Sequence, residues 1–313
     1  MKHLFIINPV AGKGKNDGIP AHVAAVMEPR GLDFACVFTK APGDATRIAE
    51  QEAALGGEVR IYACGGDGTL NEVICGAAGY PNAAVTHFPC GSGNDFIKIF
   101  GAGAARFFYL GELLDADEAM LDLIDCNGRL ACSLCSVGFD ARIGIGMADF
   151  KKLPFVSGPA AYRLSLLKNL LQGTHRPYRI TLDGEDLSGE YTLIAACNGR
   201  YYGSGFYVSP RAMPDDGILE FVLVKEVSLF TIASVVGHYA SGEAERYPQF
   251  ITCRSGRSLR VVCDRPSMVN VDGERLDATE VCIRLSEKKF RFFYPKGATW
   301  RNTEQTEEPA AQI

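Results

Sequence analysis

At 313 residues the chain is longer than one hydrophobic core usually serves, so two domains are expected. Apolar residues make up 47% and charged residues 22%, a globular balance that leaves no large segment that must be disordered. Thirty-two basic against thirty-seven acidic side chains give a net charge of −5, which argues against nucleic acid as the main partner.

In chain order, short apolar runs alternate with stretches of helical spacing through residue 125, the pattern of β-α units around a largely parallel sheet. Residues 4–7 predict a first buried strand, 21–27 a helix, 34–39 a strand, 45–55 a helix and 59–64 a third strand. Residues 84–88 predict a further one. The loops after Ile7, Phe38 and Cys64 are candidate site loops, because open α/β sheets bind ligands at their strand ends. From residue 126 the texture changes to closely spaced strands such as 178–182 and 191–196, with Asp183-Gly184 as a turn, which predicts an antiparallel β domain. One helix interrupts this domain, where Ala160, Leu164, Leu167 and Leu171 recur at helical spacing, either as a cover on the sandwich or as the lip of a lipid-binding cleft. The expected division is 1–125 for the α/β domain, 126–287 for the β domain, 288–302 as a segment able to return to the first, and 303–313 as a loose, polar tail.

The eleven cysteines include no doubled close pair of the kind a structural zinc site needs, and read as reduced, mostly buried thiols. The apolar stretch at the amino terminus is too short for a signal-peptide core, so export is not expected. Residues 227–236, the most apolar later run, fall short of a bilayer span. Membrane contact, if made, is expected from the side, with a cytoplasmic location.

The densest signal is Gly65-Gly66-Asp67-Gly68-Thr69-Leu70-Asn71-Glu72, between a predicted strand and a helix. Glycines let the backbone approach a phosphate, and amides at a helix start favour anions. Thr69 and Glu72 also have capping-box spacing, which would fix that helix start without any ligand. Neither a P-loop nor the dinucleotide fingerprint Gly-x-Gly-x-x-Gly is present. Pro89-Cys90-Gly91-Ser92-Gly93-Asn94-Asp95 makes a second glycine loop, and two such loops on one sheet edge suggest a polyphosphate. Carboxylates complete the chemistry of phosphoryl transfer, which uses magnesium and a base. Asp67, Asp95 and Asp122 form one set; Asp215, Asp216, Asp272 and Glu274 form another.

Asn8-Pro9-Val10-Ala11-Gly12, the two glycine loops, Gly138-Phe139-Asp140-Ala141, Asp215-Asp216-Gly217 and Asp272-Gly273-Glu274 occur in the order of the bacterial soluble diacylglycerol kinase family, which the chain resembles from Asn8 to about Tyr294. The Gly-Gly-Asp-Gly core alone is shared with NAD kinases and phosphofructokinases. The resemblance implies an N-terminal doubly wound nucleotide domain of that type, a C-terminal antiparallel β-sandwich, and an ATP-dependent, magnesium-assisted kinase acting on diacylglycerol. It implies that Asn8, Pro9, Val10, Ala11, Gly12, Thr39, Gly66, Asp67, Gly68, Thr69, Leu70, Asn71, Glu72 and Ser92 line the nucleotide. By the same likeness Asp67, Asp95 and Asp122 organise catalytic magnesium. Asp216, with the carbonyls of Met213 and Ile218, forms a structural magnesium site. The base is Glu274 or Asp272, with Glu274 favoured. Other lipids, NAD, or a silent regulatory role are the alternatives, and dimerisation is implied by likeness alone. Two departures stand out: Ser92 replaces the usual Thr, and the first loop has Val10-Ala11-Gly12 where Ser-Gly is commoner. Asn198-Gly199-Arg200-Tyr201-Tyr202-Gly203-Ser204-Gly205 resembles a glycine segment near the active cleft, where the two tyrosines are read as marks of substrate preference.

Overall fold

The computed structural model describes residues 1–12, 14, 16–139, 141–142 and 176–301. The helix expected over 160–171, Asp140 and the tail 303–313 lie outside the described residues. The chain divides into two compact units, one formed by Met1–Met120 with the segment from Arg291, the other by Leu121–Phe290.

The first unit is built on a sheet whose early strands are β1 (Lys2–Ile7), β2 (Phe34–Phe38), β3 (Val59–Gly65) and β4 (Ala83–Pro89). β1 pairs in parallel with both β2 and β3, and β3 with β4. β5 (Ala116–Leu121) ends the sheet, and the late strand Phe290–Pro295 inserts between β4 and β5, running parallel to β4. Helices α1 (Ile19–Met27), α2 (Asp44–Ala54) and α3 (Asp67–Ala77) connect the first four strands. The chain steps outward from β1 to β2, then back across β1 to β3 and onward to β4. Right-handed crossovers then put α1 on one face and α2 and α3 on the other, and α2 packs on α3. The winding reverses at β1, so the crevice above β1 and β3 is the switch point where such sheets take ligands.

β1, β3 and β4 are buried almost end to end, as strands covered on both faces must be. Under them Phe5 stacks on Tyr62 at 4.1 Å between ring centres, and Tyr62 meets Phe293 edge-on at 5.0 Å. The late strand therefore brings part of the core as well as hydrogen bonds. Arg60 lies over Phe293 and shares Glu118 with Arg291, closing the far edge with a charge network.

The second unit is antiparallel. In β9 (Arg176–Leu182), Tyr178, Ile180 and Leu182 point inward while Arg179 and Thr181 point out, the period-two pattern of a strand with one wet face. β11 (Gly189–Cys197) has no wet face over its second part. Ile194 and Ala196 enter one apolar core, and Leu193, Ala195 and Cys197 a second on the opposite side. The helix Leu229–Ala240 and the hairpin of Tyr201–Tyr202 with Phe206–Tyr207 contribute to the second core. β16 (Ser258–Val271) is long and bulged after Val262, where its register against β17 (Glu274–Leu285) shifts. Before the bulge it pairs with β9, and after it with β8 (Leu134–Gly138). A bulge bends a strand and re-aims it, and here it folds the sheet around its own core. No disulfide forms among the described residues, and no helix among them is long and apolar enough to cross a membrane.

Candidate functional site

In the first unit three loops leave the same sheet edge and touch. The amide of Asn8 continues the ladder to Cys64. Its side chain then donates to Thr69 Oγ1 at 3.0 Å and accepts from the Val10 amide, tying the loop after β1 to the head of α3. Gly12 adopts positive φ, and a Cβ there would meet the Cys90 carbonyl oxygen at 2.2 Å. Gly66 and Gly91 face each other so closely that a Cβ on Gly91 would lie 2.4 Å from Gly66 Cα. Only glycine permits this approach. Thr39 closes β2, its amide bonded to the Ile7 carbonyl. Val10 and Ser92 are exposed.

The start of α3 differs from the capping box expected from Thr69 and Glu72. The cap residue is Gly66, with no side-chain hydrogen bond to the helix. The Thr69 hydroxyl is engaged by Asn8, and the Glu72 carboxylate accepts the Gly43 amide at 3.0 Å and the Ala45 amide at 3.1 Å, at the start of α2. Glu72 therefore caps the neighbouring helix instead of its own. Leu70 and Asn71 are buried within the unit. Of the residues expected to line a nucleotide from this helix, Gly66, Asp67 and Gly68 keep exposed surface at the loop edge, while Thr69 is buried behind them. Amides of an uncapped helix start are natural donors to the oxygens of a phosphate.

The candidate carboxylates are held by defined contacts within each unit. Asp67 accepts the Phe96 amide at 3.1 Å, holding the two glycine loops together, and Asp95 receives Lys98 Nζ at 2.6 Å. Asp122 belongs to the second unit. It has no exposed surface, and its Oδ2 accepts the Gly217 amide at 2.8 Å. Lys289 Nζ stands 2.7 Å from its Oδ1, an ion pair whose angle is not that of a directed hydrogen bond. Asp216 bonds the Ile218 amide, and its carboxyl is pushed above the usual range by burial first, then by the charges of Asp122 and Asp215. Asp122 thus joins the Asp215-Asp216 set. The loops around it are stitched by Asn198, which donates to the carbonyls of Asp122 and Cys132.

Asp272 and Gly273 both have positive φ, as a two-residue hairpin of the Asp-Gly type requires. The two Asp272 oxygens accept three backbone amides, from Cys132, Ser133 and Leu134. A carboxylate so committed is a clamp on residues 132–134. Glu274, two residues on, opens β17 exposed, and its side chain makes no hydrogen bond or ion pair among the described residues. Tyr201 stacks on Tyr207 at 4.7 Å, and the Tyr202 hydroxyl meets that of Tyr239 at 3.1 Å. Both tyrosines thus have packing roles within the second unit.

Sequence reasoning missed three residues of these clusters. His87, fully buried beneath the glycine loops, was visible as a lone imidazole in an apolar strand. Asn198 lay in a recognised segment whose tyrosines drew the attention. Lys289 sits in the run Glu287-Lys288-Lys289, which reads as ordinary surface and carries no signal.

Glycine loops at the switch point of a parallel sheet mark a nucleotide-binding α/β domain, here followed in the chain by an antiparallel sandwich. Residues 2–126 match the family model described as the diacylglycerol kinase catalytic domain. Residues 133–292 match the YegS C-terminal NAD kinase beta sandwich-like domain. The chain belongs to the diacylglycerol kinase family of lipid kinases. It is 30% identical over 285 residues to a Pseudomonas aeruginosa protein named "Probable lipid kinase YegS-like", covering 90% of this chain and 91% of that one. It is 27% identical over 271 residues to a diacylglycerol kinase of Staphylococcus carnosus, covering 86% and 87%. A crystal structure of a diacylglycerol kinase from Bacillus anthracis shares the fold, with a TM-score of 0.71 at 21% identity over 95% of this chain and 98% of that one. Membership of a kinase family implies use of ATP.

Proposed function

We propose that the protein transfers the γ-phosphate of ATP to the free hydroxyl of diacylglycerol, giving phosphatidic acid and ADP. The observation that carries this reading is the close approach of Gly66 to Gly91 and of Gly12 to Cys90, which leaves bare backbone around an uncapped helix start. Such a surface suits a chain of phosphates. The lipid hydroxyl attacks the γ-phosphorus in line, its proton passes to the Glu274 carboxylate, and the bond from phosphorus to the ADP oxygen breaks. Glu274 is preferred over Asp272 because the Asp272 oxygens are occupied by three amides.

Magnesium supplies the neutralising charge that such a transfer uses. Among the described residues no three His, Cys, Asp or Glu side chains converge to ligate a metal. Magnesium ordinarily binds through one or two carboxylates, with water completing the shell. The raised pKa of Asp216 beside Asp122 and Asp215 fits a segment that gains from a cation, so Asp216 with the carbonyls of Met213 and Ile218 would hold one. Asp67 and Asp95 would hold the ion that accompanies ATP, Asp95 after release from Lys98. Diacylglycerol lies in a bilayer, so the enzyme works at a membrane surface by peripheral contact, from the cytoplasmic side where ATP is present.

The test is phosphate transfer from Mg-ATP to diacylglycerol in mixed micelles, beside sphingosine, phosphatidylglycerol and NAD, with Glu274→Gln as control. Phosphatidic acid formed by the wild type and lost in the variant supports the reading. Transfer to NAD, or to another lipid alone, overturns the acceptor.

A further inference from the structure

His87 lies in β4 with no exposed surface, and its Nε2 is 2.9 Å from the Gly65 carbonyl oxygen. A carbonyl only accepts, so Nε2 carries the hydrogen and donates, and the neutral ring leaves Nδ1 bare. Among the described residues Nδ1 is buried without a hydrogen-bond partner, and burial holds the ring below the usual histidine range while the charge of Asp67 pulls the other way. The same Gly65 oxygen accepts the Cys90 amide at 2.8 Å and the Gly91 amide at 3.1 Å. One carbonyl therefore joins the end of β3, the second glycine loop and β4.

Stability alone does not explain a histidine here. Without it the Gly65 oxygen keeps two amide donors, and an apolar side chain of similar volume would spare the cost of burying Nδ1 unpaired. The gain lies in orientation. In a planar trans peptide the Gly66 N–H points opposite to the Gly65 carbonyl. Holding that carbonyl inward aims the Gly66 amide outward at the head of α3, beside the close contact with Gly91.

We infer that His87 is a positioning residue for the nucleotide: its Nε2–H fixes the Gly65–Gly66 peptide at the junction of the two glycine loops, and so aims the first phosphate-binding amide. This rests on the reading of those loops as the ATP site, and the experiment separates the two. Binding of a non-hydrolysable ATP analogue with magnesium is measured by calorimetry for the wild type, His87→Leu and His87→Gln, together with melting temperatures and the KM for ATP against kcat.

His87→Leu is expected to bind about fivefold to tenfold more weakly, the worth of one oriented hydrogen bond, with an unchanged or higher melting temperature. The loss should fall on KM more than on kcat. His87→Gln, whose side-chain amide can donate to Gly65, should recover most of the affinity. Equal affinity in wild type and His87→Leu, or equal loss in Leu and Gln, overturns the inference. A wild type that does not bind the analogue overturns the ATP-site reading instead. If His87→Leu does not fold, His87→Gln is compared with His87→Asn, whose shorter amide falls short of Gly65, and equal affinities again overturn it.

Discussion

Asp272 takes the amide of Leu134 on Oδ1 at 2.7 Å while its Oδ2 accepts the two preceding amides, so the tip of one hairpin grips the backbone entering β8. The neighbouring Glu274 is exposed and outside this grip. The two carboxylates should therefore fail differently. Asp272→Ala is expected to lower unfolding free energy by roughly 2–4 kcal/mol, because buried amides lose a charged acceptor. Glu274→Gln should change stability by less than about 0.5 kcal/mol yet reduce kcat by about 10²–10⁴-fold. Urea denaturation and steady-state lipid phosphorylation on both variants decide it. A stable but inactive Asp272 variant would return the base role to that residue.

A methyl group on Gly91 has no room, since it would meet Gly66 Cα at 2.4 Å. Gly91→Ala is expected to part the two loops and weaken ATP binding by more than about tenfold. Gly57→Ala, where an added Cβ meets nothing within 4 Å, serves as the control and should bind ATP like the wild type. Calorimetric titration with the nucleotide gives the comparison directly.

Asp122 is fully buried and faces the ammonium of a half-exposed Lys289. Lys289→Met leaves that charge without its cation and should cost about 3 kcal/mol. Added magnesium should then raise the melting temperature of the variant more than that of the wild type, because Asp122 has lost the ammonium that faces it. Thermal melts with and without magnesium measure both effects. Equal shifts would separate the cluster from any metal.

His3 is buried with Nδ1 2.8 Å from the Tyr62 hydroxyl, and its pKa is lowered to about 4, by burial first and then by Arg60. An unfolded chain takes up the proton near 6.5, the native one only near 4, so the unfolded state binds more protons between those values. The contribution of His3 to stability is thus complete above about pH 6.5 and drains away as the pH falls toward 4. Melting temperatures across that window should decline less steeply in His3→Gln than in the wild type. Parallel slopes would show that other groups set the acid limit.

Much of the architecture was legible because it rests on periodicity and turn chemistry. The strand expected at 59–64 forms as Val59–Gly65, and that expected at 191–196 as Gly189–Cys197, each extended by its ladder partners. The glycine loops were visible because close backbone approach admits no other residue. What escaped was tertiary choice. Thr69 and Glu72 have the spacing of a local cap, yet Asn8 and the start of α2 compete for them and win, since their partners come from distant chain. Asp122 follows the first unit in sequence, and no local pattern announces that its side chain accepts from the Gly217 amide. An Asp-Gly turn announces a hairpin and says nothing of where the carboxylate points, so the grip of Asp272 on residues 132–134 carries no sequence signal.

The late strand Phe290–Pro295 has a consequence for biosynthesis. β4 emerges from the ribosome early, but its partner on that side is encoded after the entire second unit. At usual elongation rates of about 5–20 residues per second, the edge of β4 and the underside of Tyr62 wait on the order of ten seconds or more for Arg291, Phe292 and Phe293. The nascent first unit therefore carries an unpaired hydrophobic strand through that interval, the state in which strand edges recruit other chains. A nonsense or frameshift lesion anywhere before Phe290 would leave that state permanent, so even late truncations should yield insoluble protein instead of a separable nucleotide-binding fragment.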